Sequence, residues 1–334
     1  MPSSDTGSPA SLAATVRRLL MFTLPLLVGW AVLELWMQRV PSSHSIKRDN
    51  LESLAPQIDT LILGSSSAYW DIAPQYLHGT VYNLANVAQT LYYDDQLATQ
   101  VLPRLPKLRR VIIAVPYVSM FFQLQGTDEE ERQYYYYQEW HIPPPRLRER
   151  LDLRMWSAVA LRTPSFAVSS LKSALVQLAR GGGLTPPPVD PPIDVHGWCP
   201  RTPGDPADLG AGVIRTKLDY HHSIMHLSDE AANLAYLEHL LTELSARRIE
   251  VIFVTPPVWP VYASGMRADY WDRARTDLQR LSRTYGARYL SFLTLPELTA
   301  QDFLDADHLN ERGAVRFTRV LNTAIDRSES QVAR

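Results

Sequence analysis

Two short stretches, far apart in the chain, hold residue types that do chemistry together. Near the start, Leu61-Ile62-Leu63-Gly64-Ser65-Ser66-Ser67 runs from apolar residues through a glycine into three serines. Near the end, Asp305-Ala306-Asp307-His308-Leu309-Asn310 sets an acid three residues before a histidine. A serine hydroxyl is a weak nucleophile until a base takes its proton. An imidazole does this best when a carboxylate fixes its tautomer. Serines are also common turn and helix-capping residues for local hydrogen-bonding reasons, so the serine cluster gains a chemical meaning only from the distant acid and histidine.

Such a group needs elements to place it. The apolar run that ends at Leu63 reads as a buried strand, because a brief branched run closed by glycine suits a sheet interior. Residues 60–63, 80–84, 110–115, 250–254 and 287–290 are strand candidates, separated by helical stretches such as 90–102, 228–247 and 268–285. This alternation predicts an α/β protein with a five-stranded parallel sheet covered on both faces. Functional residues of such a sheet belong at the carboxyl ends of its strands. Ser66 falls directly after the first strand, and Asp305 and His308 fall in the loop after the last.

The chain has 334 residues, 46% of them hydrophobic, enough for a full core and one sizeable insertion. A formal charge of -2 with scattered basic residues argues against a nucleic-acid surface. The single cysteine, Cys199, excludes an internal disulfide and a cysteine-rich zinc site. Residues 1–18 read as a disordered cytoplasmic leader. Residues 19–37, almost uninterrupted apolar residues with Trp30 and Trp36, are long enough for one bilayer crossing of about 20 residues and read as an uncleaved signal anchor. Arginines and lysines lie on both sides of it, so their count leaves the orientation open.

A linker over 38–57 and a catalytic domain over 58–327 complete the expected organisation. An insertion over about 124–220 interrupts that domain. It carries clustered tyrosines, an arginine-rich run over 146–154, a helical stretch over 165–180 and a proline-rich segment over 186–206. The run reads as a solvated helix face or as contact with lipid headgroups or an anionic polymer, and the insertion as a lid, a substrate wall or a docking surface. His221, His222 and His226 include an i, i+4 pair but no third ligand at metal-like spacing. Thr255-Pro256-Pro257-Val258 follows the fourth strand at the active end of the sheet, where it reads as a rigid turn or a pocket wall. No glycine-rich phosphate loop or dinucleotide fingerprint occurs.

Gly64-Ser65-Ser66, the block from Tyr82-Asn83-Leu84 through Asn86-Val87-Ala88-Gln89 to Asp94, and Asp305-Ala306-Asp307-His308 together resemble the SGNH/GDSL hydrolase superfamily. More narrowly, they resemble its membrane-anchored bacterial branch, which includes the D-alanylation protein of the Dlt system and the alginate O-acetylation proteins. The resemblance covers roughly residues 58–120 and 249–325 and leaves out the insertion. It implies a three-layer, flavodoxin-like sandwich with Ser66 as nucleophile, His308 as base and Asp305 as acid. Asp307 is the rival acid, less able to curl back onto the adjacent ring.

The second block has Ala88 where a glycine is usual, and the third, Val115-Pro116-Tyr117-Val118, lacks the usual asparagine. The N–H groups of Ser66 and Ala88, with Asn86 or Gln89 as side-chain donors, are the expected oxyanion site, and His222 is assigned to the pocket lining. The resemblance further implies acyl transfer to an envelope polysaccharide or polyol, with no cofactor, beside a polytopic membrane acyltransferase. The domain would be extracytoplasmic on the inner membrane. Ester hydrolysis by the same triad, or an inactive scaffold in an acylation complex, are the rival readings.

Overall fold

The computed structural model describes residues 9–189, 192–203 and 209–332. The expected leader therefore lies partly outside the described residues at 1–8, and the proline-rich segment does so at 190–191 and 204–208. The described chain forms two units, one built from residues up to Pro41 together with Arg148–Pro188, the other from Ser42–Leu147 and Val189 onward.

The second unit carries a parallel sheet of five strands, β1 (Thr60–Gly64), β2 (Val81–Asn83), β3 (Arg110–Ala114), β4 (Glu250–Thr255) and β5 (Arg288–Ser291), in the order β2-β1-β3-β4-β5. All five strands lie within one or two residues of their expected bounds. Side chains alternate between two apolar clusters, as a strand period of two requires. Leu61, Leu63, Val111, Ile113, Val251 and Phe253 enter one, and Ile62, Ile112, Ile252 and Val254 enter the other. Because both faces are buried, the strands read as continuous apolar runs. The order reverses between β1 and β3, and the crevice above that reversal is where open α/β sheets bind ligands.

With helices numbered along the chain, this unit holds α2 (Ser43–Leu54), α3 (Ser66–Asp71), α4 (Leu91–Val101), α5 (Arg132–Trp140), α8 (Ala211–Ile224), α9 (Leu227–Ala246), α10 (Pro260–Gly265), α11 (Ala268–Tyr285) and α12 (Glu311–Val332). The segment called a linker is largely α2, and it is tied down. Lys47 reaches from it to the carbonyls of Asn83, at 3.0 Å, and Ala85. The Asn83 N–H, on the β2 edge, donates to His196 O at 2.8 Å, so a returning loop covers backbone that would otherwise be an open edge.

The other unit consists of α1 (Pro9–Met37), α6 (Ala158–Arg162) and α7 (Pro164–Ala179). The reading of residues 9–18 as disordered is corrected, since α1 begins at Pro9. Proline at the first helical position lacks an N–H that would have no partner there, and the alanines and leucine after it are strong helix formers. Leu12–Met37 is long and apolar enough to cross a membrane. Glu34, an unexpected charge in that stretch, caps α6 by accepting from Ser157 Oγ and Ala158 N at 2.7 Å each and from Val159 N at 3.2 Å. Of the expected insertion over about 124–220, Arg148–Pro188 belongs to this unit and the rest of its described residues to the sheet-bearing unit.

Candidate active site

β1 delivers the serines. Gly64 ends it at φ +130, where a Cβ would lie 2.6 Å from Ala114 O on β3, so only glycine lets the two strands stay in register through the turn. The Gly64 N–H donates to Asp94 Oδ1 at 2.9 Å, which locks the turn from α4. Ser65 is the N-cap residue of α3, yet its side chain makes no cap hydrogen bond. Local capping therefore does not account for the cluster. Ser66 Oγ instead lies 2.8 Å from His308 Nε2.

The histidine loop is held from several sides. Leu309 N donates to Asp71 Oδ1 at 2.8 Å, tying the loop to the end of α3, and Trp259 N donates to Ala306 O at 2.8 Å. Asn310 Oδ1 accepts from Gly313 N at 3.1 Å in the first turn of α12, while its amide donates to Gln301 O and Phe303 O. Gly313 is required because a Cβ there would run into the Asp302 carbonyl. The Trp70 ring meets the His308 ring edge-on at 4.6 Å.

His308 Nδ1 lies 3.0 and 3.1 Å from the two oxygens of Asp305 and 3.5 Å from Asp307. Asp305 is thus the closer acid. Its Oδ1 also accepts from the backbone N–H of Asp307 and His308 at 3.1 and 3.0 Å, fixing the carboxylate before the ring reaches it. A proton on Nδ1 satisfies Asp305 and leaves the Nε2 lone pair to accept from Ser66, the arrangement a general base needs.

Lys217, on α8, is the residue that sequence reasoning missed. Its ammonium pairs with Asp305 Oδ2 at 2.7 Å and with Asp307. Burial opposes its charge, but Asp307 and Asp305 prevail and the Lys217 pKa rises. Burial likewise works to raise the Asp305 pKa, yet His308 and Lys217 hold it far below the usual carboxylate range. Asp305, Asp307 and His308 group their donor atoms within 4.8 Å, a spacing that suits a metal ion. The Lys217 ammonium already supplies the positive charge among them. One turn along, His221 Nδ1 meets Tyr262 OH at 2.5 Å. Burial lowers the His221 pKa against the pull of Asp307. Lys217 and His221 stand at i and i+4 of one helix face, a signal present in Lys217-Leu218-Asp219-Tyr220-His221.

Ser66 and His308 open on a cavity of about 320 Å³. Phe122, Ile224, Val258, Met266 and Leu293 contribute apolar wall, and Ala88, with φ 53, borders it beside Ser66. Thr255 and Pro256 line it, in keeping with the pocket-wall alternative for the turn after β4, and Pro116 and Tyr117 of the third block line it too.

Three expected pocket residues are corrected. The Asn86 side chain is spent on Ser43 Oγ and Val87 N, and that of Gln89 on Asp94 Oδ1 and Tyr136 OH, so neither amide faces the cavity. His222 is not among the cavity residues, whereas His221 is. Lys217, Tyr220, His221 and Ile224 line the cavity at i, i+3, i+4 and i+7 of α8, a single helix face that leaves His222 off it. The chain matches no protein-family model and no curated protein.

Proposed function

We propose that this protein is a membrane-anchored serine acyltransferase of SGNH-like, three-layer sandwich fold, acting on hydroxyls of an envelope polysaccharide or polyol. The observation that carries the reading is the Ser66 Oγ to His308 Nε2 contact of 2.8 Å, with Asp305 on the opposite ring nitrogen. Ser66 Oγ attacks the carbonyl carbon of an acyl ester while its proton passes to Nε2. The tetrahedral oxyanion is stabilised by the N–H groups of Ser66 and Ala88, since alanine donates as well as glycine once its backbone adopts the required conformation. Collapse breaks the ester bond, and the departing oxygen takes the proton from His308. The acyl group now rests on Ser66. An acceptor hydroxyl then gives its proton to Nε2 as it attacks, and Ser66 leaves with that proton restored.

The apolar wall beside Ser66 suits an acyl group better than a bare sugar. Membrane attachment suits transfer next to a polytopic acyl-supplying partner. A fluorophosphonate probe tests the reading. The wild-type protein should label and Ser66→Ala should not, and a folded wild-type protein that fails to label would leave a scaffold role. Comparing acyl transfer to a polyol with release to water separates transferase from esterase.

A further inference from the structure

The segment Arg148–Pro188 presents apolar side chains outward. Leu151 is 87% exposed, Trp156 61% and Leu153 60%, and on α7 Val168, Leu175 and Leu178 are about half exposed. Scattered exposed leucines need no explanation, but six large apolar side chains exposed within one small unit call for one.

Its neighbour indicates what covers it. α7 packs along α1 in antiparallel fashion. Trp36 Nε1 donates to Ser170 Oγ at 3.0 Å at one end, and small residues Ala167 and Ala174 sit in the shared apolar cluster. Further on, Leu171 and Leu175 share a groove with Gly29 and Leu33. From Trp36 back to Gly29, α7 therefore follows α1 for about 10 Å at 1.5 Å per residue, comparable with the depth at which interfacial helices sit. The outer face of α1 is itself exposed leucine, valine and phenylalanine. A helix lying against that stretch shares its solvent.

The single cation lining the groove, Lys172, has a stem long enough to reach the interface. Ahead of α7, Arg148, Arg150 and Arg154 stand among Leu151, Leu153 and Trp156, with Glu149 and Asp152 between them and Asp152 paired with Arg154. This leaves the run with a net positive charge beside an aromatic residue, as where protein meets headgroups.

We propose that residues 148–188 dock into the leaflet nearest Met37, with α7 among the acyl chains and the preceding loop at the headgroups. The protein is then held by a lipid-embedded foot and not by α1 alone. This rests on α1 spanning the bilayer and is independent of the chemistry at Ser66.

The test uses the full chain, whose native Cys199 is buried, with one added cysteine at a time: Leu27→Cys, Leu153→Cys, Leu175→Cys and Thr276→Cys. Each variant is labelled with a polarity-sensitive dye and reconstituted in phosphatidylcholine vesicles containing phosphatidylglycerol and a spin-labelled lipid. At least twofold quenching is expected at 27, 153 and 175 and none at 276. Quenching at 27 alone, with 153 and 175 behaving like 276, would overturn the docking while leaving the span intact. Absence of quenching at 27 as well would overturn both.

Discussion

At the residue scale, the proposed site differs from a bare serine, histidine and acid by a half-buried cation. Lys217 helps hold Asp305 as a carboxylate, pairs with Asp307 as well, and brings its ammonium within 3.4 Å of His308 Nδ1. Lys217→Met should raise the Asp305 pKa, because the lowering contribution of the lysine is lost while burial still pushes the other way. The Asp305 carboxyl titration, followed by NMR, should lie at higher pH in Lys217→Met than in the wild-type protein. Lys217→Arg should restore part of that shift. An unchanged Asp305 titration in Lys217→Met would reduce the lysine to a packing role. Asp305→Asn removes the carboxylate that holds the ring tautomer and should lower turnover by up to about 10⁴-fold. Asp307→Asn should cost much less, since its oxygen lies at 3.5 Å from Nδ1. Single-turnover acylation measured on Asp305→Asn and Asp307→Asn beside the wild-type protein would rank them.

At the element scale, the β1 turn and α4 act together. Gly64→Ala forces a Cβ against Ala114 O at an unfavourable φ, and should destabilise the fold by about 1–3 kcal/mol, read from urea unfolding. Asp94, the acceptor of Gly64 N–H, has its pKa pushed up to about 7 by burial, with the hydrogen bonds from Gln89 and Gly64 opposing the rise. Its native form thus holds a proton that the unfolded chain has released. The contribution is fully present below the model-peptide value of 3.8 and is lost as pH climbs towards about 7. Asp94→Asn keeps an acceptor for Gly64 and should flatten the fall in stability between these limits. A wild-type protein with no such fall would contradict the assignment.

At the scale of the whole molecule, the chain combines a sheet-bearing unit with a unit organised on α1, whose Leu12–Met37 stretch is long and apolar enough to cross a membrane. Leu24 and Leu27, both exposed, lie in that stretch. Replacing Leu24 and Leu27 together by lysine should cost about 5–7 kcal/mol of insertion free energy if both sit near the bilayer centre. The variant should lose its resistance to alkaline extraction from membranes, while Ser66 in the other unit keeps its reactivity towards the probe.

The sequence by itself determined the alternation of elements, since strands buried on both faces and amphipathic helices have distinct periods that a single chain displays. It also determined the apolar span, whose composition admits few environments, and it set Asp305 near His308, because a spacing of three within one loop is local. Only the tertiary structure decided that Ser66 lies within hydrogen-bond reach of His308 and that Lys217 joins them from α8. Contacts between distant segments depend on how helices pack over the sheet, which residue spacing does not encode. The same reason explains Asn86 and Gln89. Both sit in the right block, yet their amides turn inward to satisfy buried partners that no local pattern reveals.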